Sequence, residues 1–136
     1  MATKIQVYKV KDFIRMSKSG EIDLERSMEI IHKLVAAASF YADHNILVDL
    51  RETTVGGNID IGTVMQLALE MARYGSAFKG KIANVVPGDE RRLSIARHFE
   101  TSVHLHGLKY KVFTNFEDAV DWLSDITELG VPPSEE

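Results

Sequence analysis

The spacing of apolar residues along the chain switches several times between a strand-like and a helix-like period. Two short β-rich runs cover residues 5–10 and 13–17, and only Lys11 and Asp12 separate them, which predicts an antiparallel hairpin. Apolar residues then recur three or four positions apart, which predicts a helix over residues 23–39. The apolar stripe of this helix consists of Leu24, Met28, Ile31, Val35 and Ala38.

Three further strand–helix pairs follow the first helix. Ile46, Leu47 and Val48 form an unbroken apolar run, which is typical of a strand buried on both faces of a parallel sheet. Similar patterns predict strands over residues 45–50, 81–86 and 108–113, and helices over residues 60–74, 89–103 and 115–123. The order β-β-α-β-α-β-α-β-α predicts a single-domain α/β fold with a mostly parallel sheet and right-handed crossovers. We expect the first strand to lie antiparallel at one edge of this sheet.

Length and charge limit the classes of protein to which the chain can belong. Its 136 residues fit one domain, which we assign to residues 1–126, followed by a C-terminal tail over residues 127–136. The net charge of −4 disfavours nucleic-acid binding, because that activity needs a cationic surface. The absence of cysteine excludes disulfides and thiolate metal ligands. No apolar stretch approaches the roughly 20 residues of a membrane span, and no signal core is present, so we expect a cytoplasmic protein.

Neither a catalytic site nor a metal site emerges from the pattern of polar residues. Asp49 ends a buried strand, as a phosphoacceptor aspartate does, but the acidic pair and the lysine which that chemistry needs are missing. We therefore expect Asp49 to accept hydrogen bonds from loop amides. His98, His104 and His106 lie close together in sequence, but nothing holds them around one point. We predict no catalytic residue, no metal and no cofactor.

The segment between the third strand and the second helix is the candidate binding region. Ligands of open α/β sheets bind at the carboxyl ends of the strands, and glycines with free amides at a helix start can hold an anion. The segment has neither a P-loop lysine nor a Gly-x-Gly-x-x-Gly pattern, so nucleotide binding is not predicted. The alternative is an ordinary turn in which the glycines serve only the backbone. The candidate binding residues are Thr53, Thr54, Gly56, Gly57, Asn58 and Asp60.

Three segments resemble the SpoIIAA-like family of bacterial proteins, which is related to STAS domains and has been grouped with Sec14-like lipid-binding folds. They are residues 46–51 (ILVDLR), 81–86 (KIANVV) and 117–123 (EDAVDWL), and the resemblance extends over about residues 4–125. It implies a STAS-like α/β domain. It also implies a regulatory switch serine near Asn58, but residues 41–74 contain no serine, so a contact made there would be independent of phosphorylation.

Two functions follow from the resemblance and the candidate region. The first is a non-catalytic regulatory or protein-interaction module that uses residues 53–60 and the second helix, with a homodimer as one form of the contact. The alternative is the binding or sensing of a small apolar, lipid-like ligand. An apolar pocket of roughly several hundred cubic ångströms would favour the ligand. An exposed apolar patch without a pocket would favour the module.

Overall fold

The computed structural model describes residues 4–9, 13–41, 44–56 and 59–130. The strands are β1 (Lys4–Lys9), β2 (Phe13–Ile22), β3 (Asn45–Val55), β4 (Ile82–Val85), β5 (Tyr110–Phe113) and β6 (Asp125–Gly130). The α-helices are α1 (Leu24–Phe40), α2 (Ile61–Arg73), α3 (Glu90–His104) and α4 (Phe116–Leu123), and a 3₁₀ turn spans Gly75–Ala77. From β2 onwards strands and helices alternate, which confirms the predicted α/β class.

Four strands form one parallel sheet in the order β2-β3-β4-β5. Each strand therefore lies beside its predecessor in the chain, and the intervening helix returns to the amino-terminal edge of the sheet. Val48 of β3 lies between Met16 of β2 and Asn84 of β4, and Asn84 in turn is paired with Val112 of β5. This arrangement confirms the prediction of a mostly parallel sheet.

The prediction of an antiparallel edge strand was wrong. β1 does not pair with β2 but lies antiparallel to β6 in a separate two-stranded sheet, and β2 is a parallel neighbour of β3. The connecting residues 10–12 lie outside the described part of the chain. A two-residue hairpin turn favours Gly or Asn with positive φ, and the Lys11-Asp12 spacer offers neither. A short spacer alone was therefore a weak reason to predict a hairpin.

Residues 125–130 form β6, although no strand was predicted there and residues from 127 onwards were assigned to a tail. Residues 131–136 lie outside the described part of the chain. The division into a domain over residues 1–126 and a tail stays a prediction.

The two faces of the parallel sheet are covered unequally. Helices α1, α2 and α3 pack on one face, where Val48 and Ile82 belong to the larger hydrophobic core. Helix α4 packs on the other face, over a smaller core that includes Leu47 and Ala83. Successive strand residues point to opposite faces, so the unbroken apolar run Ile46-Leu47-Val48 contributes to both cores.

Each of the four α-helices begins at an Asp or Asn that accepts a hydrogen bond from the backbone three residues further on. The caps are Asp23, Asp60, Asp89 and Asn115, with N···O distances of 2.8, 2.8, 2.9 and 3.1 Å. Such side chains satisfy amides that the helix itself leaves unpaired. Because each cap follows the carboxyl end of a strand, the helix starts gather along one edge of the sheet.

Candidate functional site

A partly open cavity of about 110 Å³ lies between the parallel sheet and helices α1 to α3. Val48 and Leu50 of β3 line it from the sheet, and Leu34 of α1, Leu67 of α2 and Phe99 of α3 line it from the helices. Most of its wall is aliphatic or aromatic. Such a cavity suits an apolar ligand, since apolar surface gains free energy when it leaves water.

Two polar residues reach the cavity from the sheet. Asn84 of β4 is 7 % exposed, and its Nδ2 donates a hydrogen bond to the hydroxyl of Tyr110 on β5. The Asn84 Oδ1 is buried and has no hydrogen-bond partner among the described residues. Burial raises the pKa of the Tyr110 hydroxyl, so this group stays protonated at ordinary pH. The cavity therefore holds an unpaired amide oxygen beside a neutral phenol.

A buried arginine lines the same cavity from the first turn of α3. Arg92 is 6 % exposed, and its Nη1 and Nη2 donate to the carbonyl oxygen and Oγ1 of Thr53 at 2.8 and 2.9 Å. Within the described part of the chain, no carboxylate oxygen lies within 4.0 Å of this guanidinium. Burial lowers the pKa of Arg92, because desolvation disfavours its charged form.

Sequence reasoning missed Arg92 and Asn84. A signal for Arg92 was present, because it lies four residues before Ala96 and seven before Phe99, on the spacing of the inner face of α3. Asn84 interrupts an otherwise apolar strand, which also marks it as a polar group facing a core. The helix over residues 89–103 was predicted from the spacing of its apolar residues alone, which gave no weight to an arginine on the same face.

The structure separates the predicted binding residues. Thr53 and Thr54 belong to β3, which continues to Val55 alongside the end of β2. Thr53 is buried, and its Oγ1 donates to the Leu50 carbonyl oxygen at 2.6 Å while it accepts from Arg92. Thr54 is exposed to solvent. Of these two threonines, Thr53 is therefore the one that contacts a residue lining the cavity, Arg92.

The remaining predicted binding residues follow β3. The carbonyl oxygen of Gly56 accepts a hydrogen bond from Arg91 Nη2 at 3.0 Å. Asp60 is exposed and caps α2, where its Oδ1 also accepts from the Thr63 hydroxyl at 3.0 Å. Gly57 and Asn58 lie outside the described residues. The contacts of Gly56 and Asp60 stabilise the backbone between β3 and α2. A binding role for the six candidate residues stays a prediction.

Asp49 lies on the opposite face of the sheet from the cavity. Arg51 donates to it from Nε and Nη2 at 2.9 and 2.8 Å, and Arg15 Nη2 donates at 3.0 Å. The guanidinium groups of Arg15 and Arg51 also lie over the ring of Phe116, at 4.8 and 5.6 Å from its centroid, respectively. Asp49 was expected to accept hydrogen bonds from loop amides. Among the described residues, the backbone N–H that donates to it is that of Arg51, which belongs to β3. The Asp49 carboxylate is therefore paired with two arginines. These arginines connect β2 and β3 to the start of α4 through the ring of Phe116.

The candidate metal ligands are dispersed. His98, His104 and His106 are all exposed. His104 Nε2 contacts the carbonyl oxygen of Tyr110, and the nearby Glu100 carboxylate accepts a hydrogen bond from the Val112 N–H at 2.7 Å. The described residues contain no group of three or more His, Cys, Asp or Glu side chains placed to hold one ion. None of the helices described here has the length and apolar character needed to cross a membrane.

An exposed apolar stripe runs along α2. Ile61, Met65 and Leu69 are spaced four residues apart and are 61, 44 and 56 % exposed. This spacing places them on one side of the helix, and Met65 borders α3, because the Ser102 Oγ lies 3.2 Å from its sulfur. We call these three residues the α2 stripe.

Comparison of the chain with protein-family models and with curated proteins gave no match. The proposals below therefore depend on the geometry of the site and on the resemblance described above.

Proposed function

We propose that this protein is a non-catalytic binding protein that takes a small apolar ligand into the cavity between its sheet and helices α1 to α3. The observation that carries the proposal is the apolar cavity itself, at the carboxyl half of the parallel strands. Its volume of about 110 Å³ is below the roughly 300–1,000 Å³ of sites for drug-sized molecules. It approaches that of an engineered apolar cavity of about 150 Å³ that binds benzene.

The chemistry of the lining supports binding rather than catalysis. The polar groups of the described lining are a serine, an amide, a phenol and a guanidinium, contributed by Ser27, Asn84, Tyr110 and Arg92. None of these is a carboxylate or an imidazole, the groups that most often act as general bases. The resemblance to the SpoIIAA-like family also supports a ligand, since that family has been grouped with Sec14-like lipid-binding folds.

A cavity-filling variant tests the proposal. Ala96 is buried on α3 and lines the cavity, so Ala96→Leu should fill part of it. We expect straight-chain alcohols of about four to eight carbons to bind the wild type and to bind this variant at least about tenfold more weakly, since the space they occupy is lost. Binding is measured by ligand-observed NMR and by the shift in melting temperature.

The matched control is Ser94→Leu, which adds the same side chain to an exposed position on the same helix. It should bind the alcohols as the wild type does. Equal binding by wild type and Ala96→Leu would contradict the cavity as the binding site. Native mass spectrometry of the purified protein complements the titrations, because a retained molecule adds a defined mass.

A second candidate function is the protein-interaction module, and the α2 stripe is the observation that favours it. Ile61 lies directly after Asp60, so the stripe adjoins the predicted contact surface of residues 53–60. Clustered exposed apolar side chains mark many interaction sites. In this second proposal the stripe and Thr54 together form the contact with a partner, and a homodimer is the simplest form of it.

A further inference from the structure

An apolar ligand alone leaves the charge of Arg92 unexplained. A buried cation costs free energy unless an anion or several hydrogen bonds compensate it. Of the five N–H donors of a guanidinium, Thr53 takes one from Nη1 and one from Nη2, and both of its acceptors are uncharged. The carboxylate of Asp89 accepts a hydrogen bond from the backbone N–H of Arg92 and caps the helix. Burial lowers the pKa of the guanidinium, and the negative charge of Asp89 offsets part of this effect without a hydrogen bond between the two side chains.

The unpaired oxygen of Asn84 is a second, independent feature of the same cavity. Asn84 is 7 % exposed, and its amide is anchored at one end by the Tyr110 hydroxyl. A buried polar atom without a partner costs about 1–3 kcal/mol. Other cavity residues on this face of the sheet are apolar, such as Val48 of β3 and Val86, which directly follows β4. Because this oxygen only accepts hydrogen bonds, a water held beside it would satisfy it, whereas an ionised carboxylate has no hydrogen to donate to it.

We propose that the ligand of this cavity is a small monocarboxylic acid, whose carboxylate pairs with Arg92 and whose apolar body occupies the space between Leu50, Leu67 and Phe99. This inference rests on the proposed function and names the ligand class of the same site. The planar guanidinium matches the two oxygens of a carboxylate, and hydrogen bonds between charged groups are about twice as strong as neutral ones.

The balance of charge favours a carboxylate over a phosphate. Arg92 is the one cationic side chain among the described residues that line the cavity, so it neutralises one negative charge. A phosphate monoester carries about −1.5 to −2 at neutral pH, and the excess charge would be desolvated against an aliphatic wall.

The test compares four probes of matched chain length on the wild-type protein: pentanoate, pentanol, pentanamide and pentyl phosphate. We expect pentanoate to bind at least about tenfold more tightly than each of the other three, as one charge-assisted pair would give. Arg92→Met should reduce the affinity for pentanoate to about that for pentanol. Arg91→Met removes an exposed neighbouring arginine and should keep the wild-type preference.

The outcomes separate this inference from the proposed function. Equal binding of pentanoate and pentanol to the wild type would overturn the carboxylate and leave an apolar binding protein. Tighter binding of pentyl phosphate would also overturn it. Binding of none of the probes, nor of the longer alcohols, would overturn both. The order of the four affinities for the wild type tests the carboxylate preference even if Arg92→Met does not fold, because that order needs no variant.

Discussion

At the scale of single residues, two arginine environments on opposite faces of the sheet illustrate how context sets the role of a charge. Arg51 is partly exposed and neutralises the Asp49 carboxylate. Arg92 is buried and is held by the neutral oxygens of Thr53. The first pair resembles an ordinary structural ion pair. In the second, the two acceptors of a buried guanidinium are uncharged, and the proposed carboxylate ligand depends on this feature.

Asp49 predicts a loss of stability in acid. Hydrogen bonds from Arg51, and to a smaller extent from Arg15, lower the pKa of the Asp49 carboxyl group from 3.8 to about 2. The carboxylate is therefore favoured in the folded state, and its stabilisation is present above about pH 4 and is lost as the pH falls toward 2. Because both guanidinium groups are partly exposed, we expect Asp49→Asn to lower the free energy of unfolding by about 1–2 kcal/mol near neutral pH.

Urea denaturation of wild type and Asp49→Asn at several pH values measures this effect. The difference between the two proteins should shrink as the pH approaches about 2, where Asp49 becomes protonated. Asp121→Asn changes an exposed carboxylate on α4 and serves as the control. A difference between wild type and Asp49→Asn that stays constant with pH would show that packing, and not the ion pair, is responsible.

At the scale of elements, α4 has a different position from the other helices because it packs alone against its face of the described sheet. It is also the shortest of the four, at 8 residues. Its end is held by the buried side chain of Asn45, which donates to the Leu123 carbonyl oxygen at 3.1 Å and accepts from the Lys81 N–H at 2.9 Å. A short helix in this position depends strongly on its few large side chains.

Trp122 is a large side chain of α4, and replacing it measures how strongly the packing of this helix contributes to stability. It is half-buried, its ring centroid lies 5.8 Å from that of Phe113, and Lys81 Nζ lies 5.3 Å from the same tryptophan ring. We expect Trp122→Ala to lower the free energy of unfolding by about 2–3 kcal/mol, less than the roughly 3–5 kcal/mol for a fully buried aromatic residue. Trp122→Phe should retain most of this stability. A thermal shift within error for Trp122→Ala would show that α4 does not need this contact.

At the scale of the whole molecule, the cavity and the α2 stripe belong to the same layer of helices but face in different directions. The cavity lies beneath the helices, whereas the stripe is open to solvent. The two proposed functions therefore use separate surfaces and can be tested independently.

Sedimentation velocity tests the α2 stripe as a contact between copies of the chain. If the stripe forms a homodimer, Met65→Glu should shift the protein toward monomer, because it places a charge in an apolar contact that would have to be desolvated. Phe40→Glu alters an exposed aromatic residue outside the stripe and should leave the association unchanged. A wild-type protein that sediments as a monomer at high concentration would exclude the homodimer.

Local periodicity was sufficient for the order of the elements from β1 to α4, but it missed β6 and did not determine all of the strand pairings. The buried run Ile46-Leu47-Val48 and the start of the third helix near residue 89 depend on neighbouring residues, and both predictions were confirmed. The partner of β1 lies more than 100 residues away, in β6, and short-range spacing contains no information about such a pairing. The spacing of Arg92 and Asn84 was consistent with inward-facing positions, but the cavity that both residues line is formed by the assembled sheet and helices and could not be predicted from that spacing.

The lining of the cavity begins at Ile22 and ends at Tyr110, so four successive strands must be in place before a molecule can be enclosed. Occupancy is therefore coupled to the folding equilibrium of the sheet as a unit. A ligand at about 100 times its dissociation constant would add about 2.7 kcal/mol to the free energy of unfolding. Where cleavage proceeds through the transiently opened chain, this corresponds to about a hundredfold longer survival against a protease. The lifetime of the polypeptide would then report the concentration of the molecule that it binds.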